Sequence, residues 1–114
     1  MANVHDMTVD QLWPKRYLTA GDIVDPMRVT IENITIEKLW DSRKREYKQE
    51  GVVWFKEFPG KFFCVNRTNR DALIRIIGSR KVGDWIGKKV ELYQDTFVRG
   101  SKTYMVIRVR AGGK

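Results

Sequence analysis

Between Trp40 and Gln49 the chain reads Trp-Asp-Ser-Arg-Lys-Arg-Glu-Tyr-Lys-Gln, four cations and two aromatics within ten residues. A second group follows at Phe97, Arg99 and Lys102, continued by Tyr104, Arg108 and Arg110. Cations neutralise phosphates and flat side chains stack on unpaired bases whatever their sequence, so this mixture suits single-stranded nucleic acid. Arginine adds a planar group that pairs bidentately with phosphate and also stacks. The candidate phosphate contacts are Arg43, Lys44, Arg45, Lys48, Lys56, Arg99 and Lys102. Trp54, Phe62 and Tyr104 are the candidate stacking platforms, and Trp40 and Tyr47 read equally well as further platforms or as hydrophobic lids. Either charged stretch alone is most simply a solvated loop. Their coincidence carries the reading.

Catalytic chemistry finds no comparable support. The single histidine, His5, lies in a polar N-terminal stretch, which removes the usual general base and any His-rich metal site. One cysteine, Cys64, builds neither a zinc cluster nor an internal disulfide, and in Phe62-Phe63-Cys64-Val65 it reads as a small buried hydrophobe. Gly83-Asp84-Trp85-Ile86-Gly87-Lys88-Lys89 has three residues between its glycines where a phosphate loop has four, lacks Ser or Thr after the lysine, and precedes a strand. Acidic residues are scattered singly, so no two-metal or paired-carboxylate site is implied. The expectation is a protein that is not an enzyme, with no catalytic residues, no metal and no cofactor.

The elements that must position these residues begin with a strand whose rhythm slips. Met27, Val29 and Ile31 alternate, and the alternation resumes one residue out of phase at Ile34 and Ile36, which places a β-bulge at Glu32-Asn33. Bulges bend strands, and a long bent strand serving two halves of a sheet can close a small barrel. The first strand is expected over about Met27 to Leu39, followed by a polar loop from Trp40 to Gln49 and a second strand over Gly51 to Glu57. There Val53 and Phe55 alternate with Trp54 and Lys56, so Trp54 should face outward beside Lys56. Pro59-Gly60 turns into a third strand, Lys61 to Val65, whose two apolar faces leave either Phe62 or Phe63 beside Trp54, with Phe62 favoured. Thr68 is read as an N-cap, with Asp71 three residues on, for a short helix that Gly78 ends. After a loop holding Trp85, read as core, strands at Lys89 to Thr96 and Thr103 to Arg110 form a hairpin across Phe97–Lys102. Strand, strand, strand, helix, strand, strand is the order of the OB-fold: all-β with one short helix, a five-stranded Greek-key barrel whose strand 2–3 face and flanking loops commonly bind oligonucleotides. Residues 1–16 are expected to be a flexible arm, 17–110 the barrel and 111–114 a frayed end, with Trp13, Tyr17 and Leu18 plugging one end.

At 114 residues the chain suits one domain with a modest core. Twenty-two Lys and Arg against 14 Asp and Glu leave a net charge of +8, which favours a polyanionic partner. No basic amphipathic helix and no apolar run near the ~20 residues of a membrane span is present, so nucleic acid ranks above membrane. The N-terminus lacks the features of a secretory signal, which implies a cytoplasmic location.

Four segments, Tyr17-Leu18-Thr19-Ala20-Gly21-Asp22-Ile23, Asn66-Arg67-Thr68-Asn69, Trp85-Ile86-Gly87-Lys88-Lys89-Val90-Glu91-Leu92-Tyr93 and Ile107-Arg108-Val109-Arg110, resemble small OB-fold proteins of bacteriophages and prophages. These are often encoded near replication and recombination functions. The resemblance spans about Tyr17 to Arg110 and rests on residues that look structural, so it speaks more to fold than to function. It implies a phage protein working in a bacterial host cell. Unlike bacterial single-stranded DNA-binding proteins, the chain has no acidic C-terminal tail ending in an aromatic residue, so recruitment of replication enzymes by such a tail is not implied. The sequence thus points to binding of single-stranded DNA, or RNA, with low specificity. The rival reading is a protein-interaction module that docks a host or phage protein on the Trp54 face or a strand edge.

Overall fold

The computed structural model describes residues 4–9 and 16–112. Among the described residues, five strands and one α-helix follow in the expected order: β1 (Met27–Asp41), β2 (Glu46–Phe55), β3 (Phe62–Cys64), α1 (Arg67–Ile77), β4 (Lys89–Arg99) and β5 (Lys102–Ala111). Short 3-10 turns lie at Ala20–Asp22 and Val82–Trp85.

The slip in β1 has its structural counterpart. Register against β2 shifts between Ile31 and Asn33, which leaves Glu32 as the extra residue. Val29 and Ile31 are buried before the bulge, and Ile34 packs on the same core after it. Met27–Thr30 pair with β4, whereas Ile31–Asp41 pair with β2, so one bent strand serves both halves of the sheet.

The expected closed barrel is corrected to a single antiparallel sheet in the order β3-β2-β1-β4-β5, with no ladder between β3 and β5. Both edges have other partners. The outer edge of β3 takes the segment Arg16–Leu18 in parallel, through Leu18 N–H donating to Phe62 O at 2.8 Å and Phe62 N–H donating to Arg16 O at 2.9 Å. On the β5 side, Asn69 of α1 donates from Nδ2 to the Ile107 carbonyl at 2.9 Å. Three residues of β3 leave little edge for a further strand.

Inside the sheet, Val29, Ile31, Val53, Phe55, Leu73, Val90 and Leu92 are essentially inaccessible to solvent. Each such burial is worth about 1.5–3 kcal/mol relative to exposure, which makes this cluster the main source of stability. Helix α1 closes one side with Asn69, Ala72 and Leu73 on its inner stripe. Its N-cap is Asn66 and not Thr68: Asn66 Oδ1 accepts the Asn69 N–H at 2.9 Å, and its carbonyl accepts the Arg70 N–H at 2.8 Å. Starting the helix at Arg67 sets Asn69 on the buried face where it can reach β5. Gly78, at φ 81° in the left-handed region, ends it as expected. Leu18 is core and Trp85 is buried, with its indole N–H on the Ser79 carbonyl at 2.9 Å. Tyr17 is 43% exposed over β3 and plugs nothing, Cys64 is exposed and not buried, and Trp13 lies outside the described residues.

A polar knot fixes the entry to β1. The Asp22 carboxylate accepts from Thr19 N–H at 2.9 Å, from the Thr19 hydroxyl at 3.1 Å and from Lys61 Nζ at 3.2 Å. Partial burial works to raise its pKa, but the Thr19 N–H, Lys61 and the Thr19 hydroxyl outweigh it and hold the carboxyl below its ordinary 3.8. A carboxyl depressed in the fold contributes stability above its unfolded pKa and loses it as pH falls through the folded value. Asp22→Asn is therefore expected to lower stability by about 1 kcal/mol near pH 7. The gap from the parent should narrow as pH falls from the ordinary 3.8 through the depressed folded value, as read in denaturant titrations run across pH.

The largest correction concerns the two charged stretches. Trp40, Tyr47, Lys48 and Gln49 are not loop residues but strand residues, because Trp40 pairs with Tyr47 and Asp41 with Glu46, leaving only Ser42–Arg45 as the turn. Likewise Arg99 pairs with Lys102, so Phe97, Arg99 and Lys102 lie on strands around a turn at Gly100-Ser101. Both hairpins run on past the core as arms. The radius of gyration of 15.8 Å exceeds the ~13 Å of a compact chain of this length, in keeping with extents of 50 × 37 × 30 Å.

Candidate nucleic-acid interface

Pairing register sorts the sequence candidates onto faces, since directly opposed residues of an antiparallel pair share one side. Trp54 is on the outer face as expected, opposite Asn33 and Phe62, while Val53 and Phe55 point to the core. Its ring is already occupied. The indole N–H donates to Thr35 Oγ1 at 2.8 Å, and the ring meets Phe62 edge-on at 5.5 Å between centroids. Phe62 is the expected neighbour but is only 2% exposed, with Tyr17 at 6.5 Å and the Arg16 guanidinium at 6.0 Å from its ring. A base would have to displace the Arg16–Leu18 segment to reach it. Lys56 lies one residue beyond the end of β2, exposed.

Charge on this face runs against the expectation. Glu37 opposes Glu50 and Asp41 opposes Glu46 on the Trp54 side of the β1–β2 arm. Such like-charged pairs are tolerated where cations bridge them. Arg16 reaches Glu37 at 3.7 Å, and Lys48 reaches Glu50 at 3.0 Å and Asp41 at 3.8 Å. The hydrogen bond to Glu50 and its charge, with Asp41 behind, push the Lys48 pKa up. Lys48 is thus committed within the arm.

The opposite, core-side face of the same arm is different. Beyond Ile34 and Val53 the successive pairs are Ile36–Gly51, Lys38–Gln49 and Trp40–Tyr47, and at about 3.4 Å per residue the last lies ~20 Å out from Ile34. Trp40 and Tyr47 are 55% and 59% exposed and meet edge-on at 5.0 Å, so they are not lids over the core. The Lys38 ammonium sits 5.0 Å above the Tyr47 ring. At the turn, Asp41 Oδ1 accepts the Arg43 and Lys44 N–H groups at 3.0 and 3.3 Å, and these two bonds, Lys44 first, lower the Asp41 pKa. That Asx turn leaves Arg43, Lys44 and Arg45 exposed at the tip, with Arg45 at φ 52° in the left-handed region.

On the second arm Phe97 opposes Tyr104, each 46% exposed, with Arg99 and Lys102 two pairs nearer the tip and Tyr93 and Arg108 further in, all on the outer face. Arg110 stacks 4.6 Å from the Tyr93 ring centroid and pairs with Glu91. Because β4 runs antiparallel to β1 and passes beyond Met27, the two hairpin arms leave β1 at opposite ends.

The structure therefore gathers Trp40, Tyr47 and Arg43–Arg45 in one place and Arg99, Lys102 and Tyr104 in another. Trp54 and Phe62 lie on the opposite face of the sheet from Trp40 and Tyr47, and Lys48 is taken up by Asp41 and Glu50 within the arm. Sequence reading missed Lys38 and Gly51, since neither has a distinguishing motif. No protein-family model, curated protein or solved structure matches the chain. Among the described residues, no helix is long and apolar enough to cross a membrane.

Proposed function

We propose that this is a non-enzymatic protein that binds single-stranded nucleic acid, DNA more readily than RNA, with weak sequence preference, on an opened relative of the OB barrel. The barrel relationship is supported by the shared, bulged β1 and by a helix that follows β3. One observation carries the functional reading: aromatic and cationic side chains stand exposed together on two hairpin arms that extend past the core. Exposed aromatics cost solubility, and a surface keeps them where they meet a ligand. Arg45 adds support. A non-glycine residue in the left-handed region costs about 1 kcal/mol or more, so a turn that holds arginine there favours a cation at the tip over the cheaper glycine. Such a protein works in the cytoplasm, where replication and recombination expose single strands.

The reading is tested with labelled oligo-dT, oligo-U and a DNA duplex of equal length. Oligo-dT should bind at least about tenfold tighter than duplex, because paired bases offer no face to Trp40, Tyr47, Phe97 or Tyr104. Equal affinity for duplex would leave only charge at work and refute the stacking role. No binding to any of the three would favour a protein partner instead.

A further inference from the structure

The core-side face of the β1–β2 arm leads into a cavity of about 280 Å³ at the arm's root, walled by Ile34, Gly51, Val53, Val65, Val82 and Trp85. Its volume is just below the ~300 Å³ at which pockets for drug-sized ligands begin, which suits a single planar ring system. The walls are apolar apart from Glu50 and Arg70, and the N–H of the Trp85 ring is already engaged by Ser79. Arg70 also borders the cavity, exposed, with its guanidinium 3.4 Å from Asp71. Lys81 precedes Val82, and Lys38 stands one pair beyond Gly51 on the same face. Glu50 lines the cavity too, with its carboxylate paired to Lys48 at 3.0 Å on the outer face.

Gly51 is what opens this space. It sits inside β2 opposite Ile36, where glycine weakens a strand and often marks the close approach of a ligand. Its backbone does not demand glycine, and a Cβ built there would meet no heavy atom within 4 Å. Ile36 is 70% exposed beside it.

From this arrangement we infer that the cavity receives one unpaired base of a single strand whose neighbouring nucleotides lie along Lys38, Trp40 and Tyr47. A largely apolar slot bordered by Arg70, with its one lining carboxylate, Glu50, paired to Lys48 and with Lys38 further along the same face over Tyr47, complements a ligand that is flat and apolar in its base and anionic in its backbone. It repels a second copy of a chain that carries +8. This inference rests on the single-strand reading and adds to it where the strand enters the body of the domain.

The test fills the slot. Gly51→Phe is compared with wild type and with the Arg43→Ala/Lys44→Ala/Arg45→Ala variant, using oligo-dT and an abasic deoxyribose-phosphate oligomer of equal length, with melting temperatures measured in parallel. Gly51→Phe should melt no lower than wild type, bind oligo-dT about tenfold more weakly, and bind the abasic oligomer as wild type does. If Gly51→Phe does not fold, Val82→Phe fills the same slot from its exposed side and carries the same expectation. A folded filled variant with wild-type affinity for oligo-dT overturns the inference, and the binding reading stands if the charge variant still loses affinity. If wild type binds neither oligomer, both fall together.

Discussion

Trp54→Ala is expected to lower the melting temperature by about 10 °C while changing affinity for oligo-dT by less than about twofold. The sequence alone allows two outcomes for this residue, a base platform or a structural ring, and the geometry favours the second. The indole N–H satisfies Thr35, the ring edge packs on buried Phe62, and Phe62 in turn lies beneath Tyr17 and Arg16. Truncation removes a partly buried ring and the hydrogen bond to Thr35. The cost should be about 2–3 kcal/mol, less than the ~3–5 kcal/mol of a fully buried Trp. Binding should hardly change, because the indole is already engaged by Thr35 and its ring by Phe62. Thermal melts and oligonucleotide titrations of the same preparation decide the matter. A variant that melts like wild type but binds poorly would return Trp54 to the ligand face.

The second large effect is expected at the tip of the β1–β2 arm. Replacing Arg43, Lys44 and Arg45 together with alanine should weaken binding of single strands by about ten- to a hundredfold at low salt, since up to three phosphate contacts disappear. The fold should be indifferent. These side chains are exposed, and the turn is held by the Asp41 carboxylate accepting backbone N–H groups that alanine retains. Removal of Arg45 also takes away no buried contact, and alanine keeps its left-handed strain. Affinity unchanged in this variant would remove the arm from the interface.

Much of the fold was legible where one face of an element is buried and the other is not. The bulge at Glu32, the turn at Gly60, the helix stop at Gly78 and the outward Trp54 all follow from alternation or backbone demand. The arms were not legible for the complementary reason. Beyond the core both faces of β1–β2 meet solvent, so Trp40 to Gln49 show no apolar alternation and read as a loop, although cross-strand contacts such as Trp40–Tyr47 and the Lys48–Asp41 ion pair hold them as strands. The open sheet was equally hidden. Nothing in the residues of β3 reveals that Arg16–Leu18 takes its outer edge, because that pairing is made by backbone groups every residue possesses. Of the candidate site, residue types were legible and their grouping was not: alternation cannot tell which of two solvated faces carries Lys38, Trp40 and Tyr47 and which carries the acids.

The most direct measurement of the central claim is the affinity of the wild-type protein for oligo-dT as a function of salt. If about four phosphates are neutralised across the arms, log K should fall against log salt with a slope of roughly −3, taking ~0.7 per phosphate for single strands. A slope near zero, or no measurable binding at low salt, would contradict the account and leave the exposed aromatics of the two arms to an apolar protein partner.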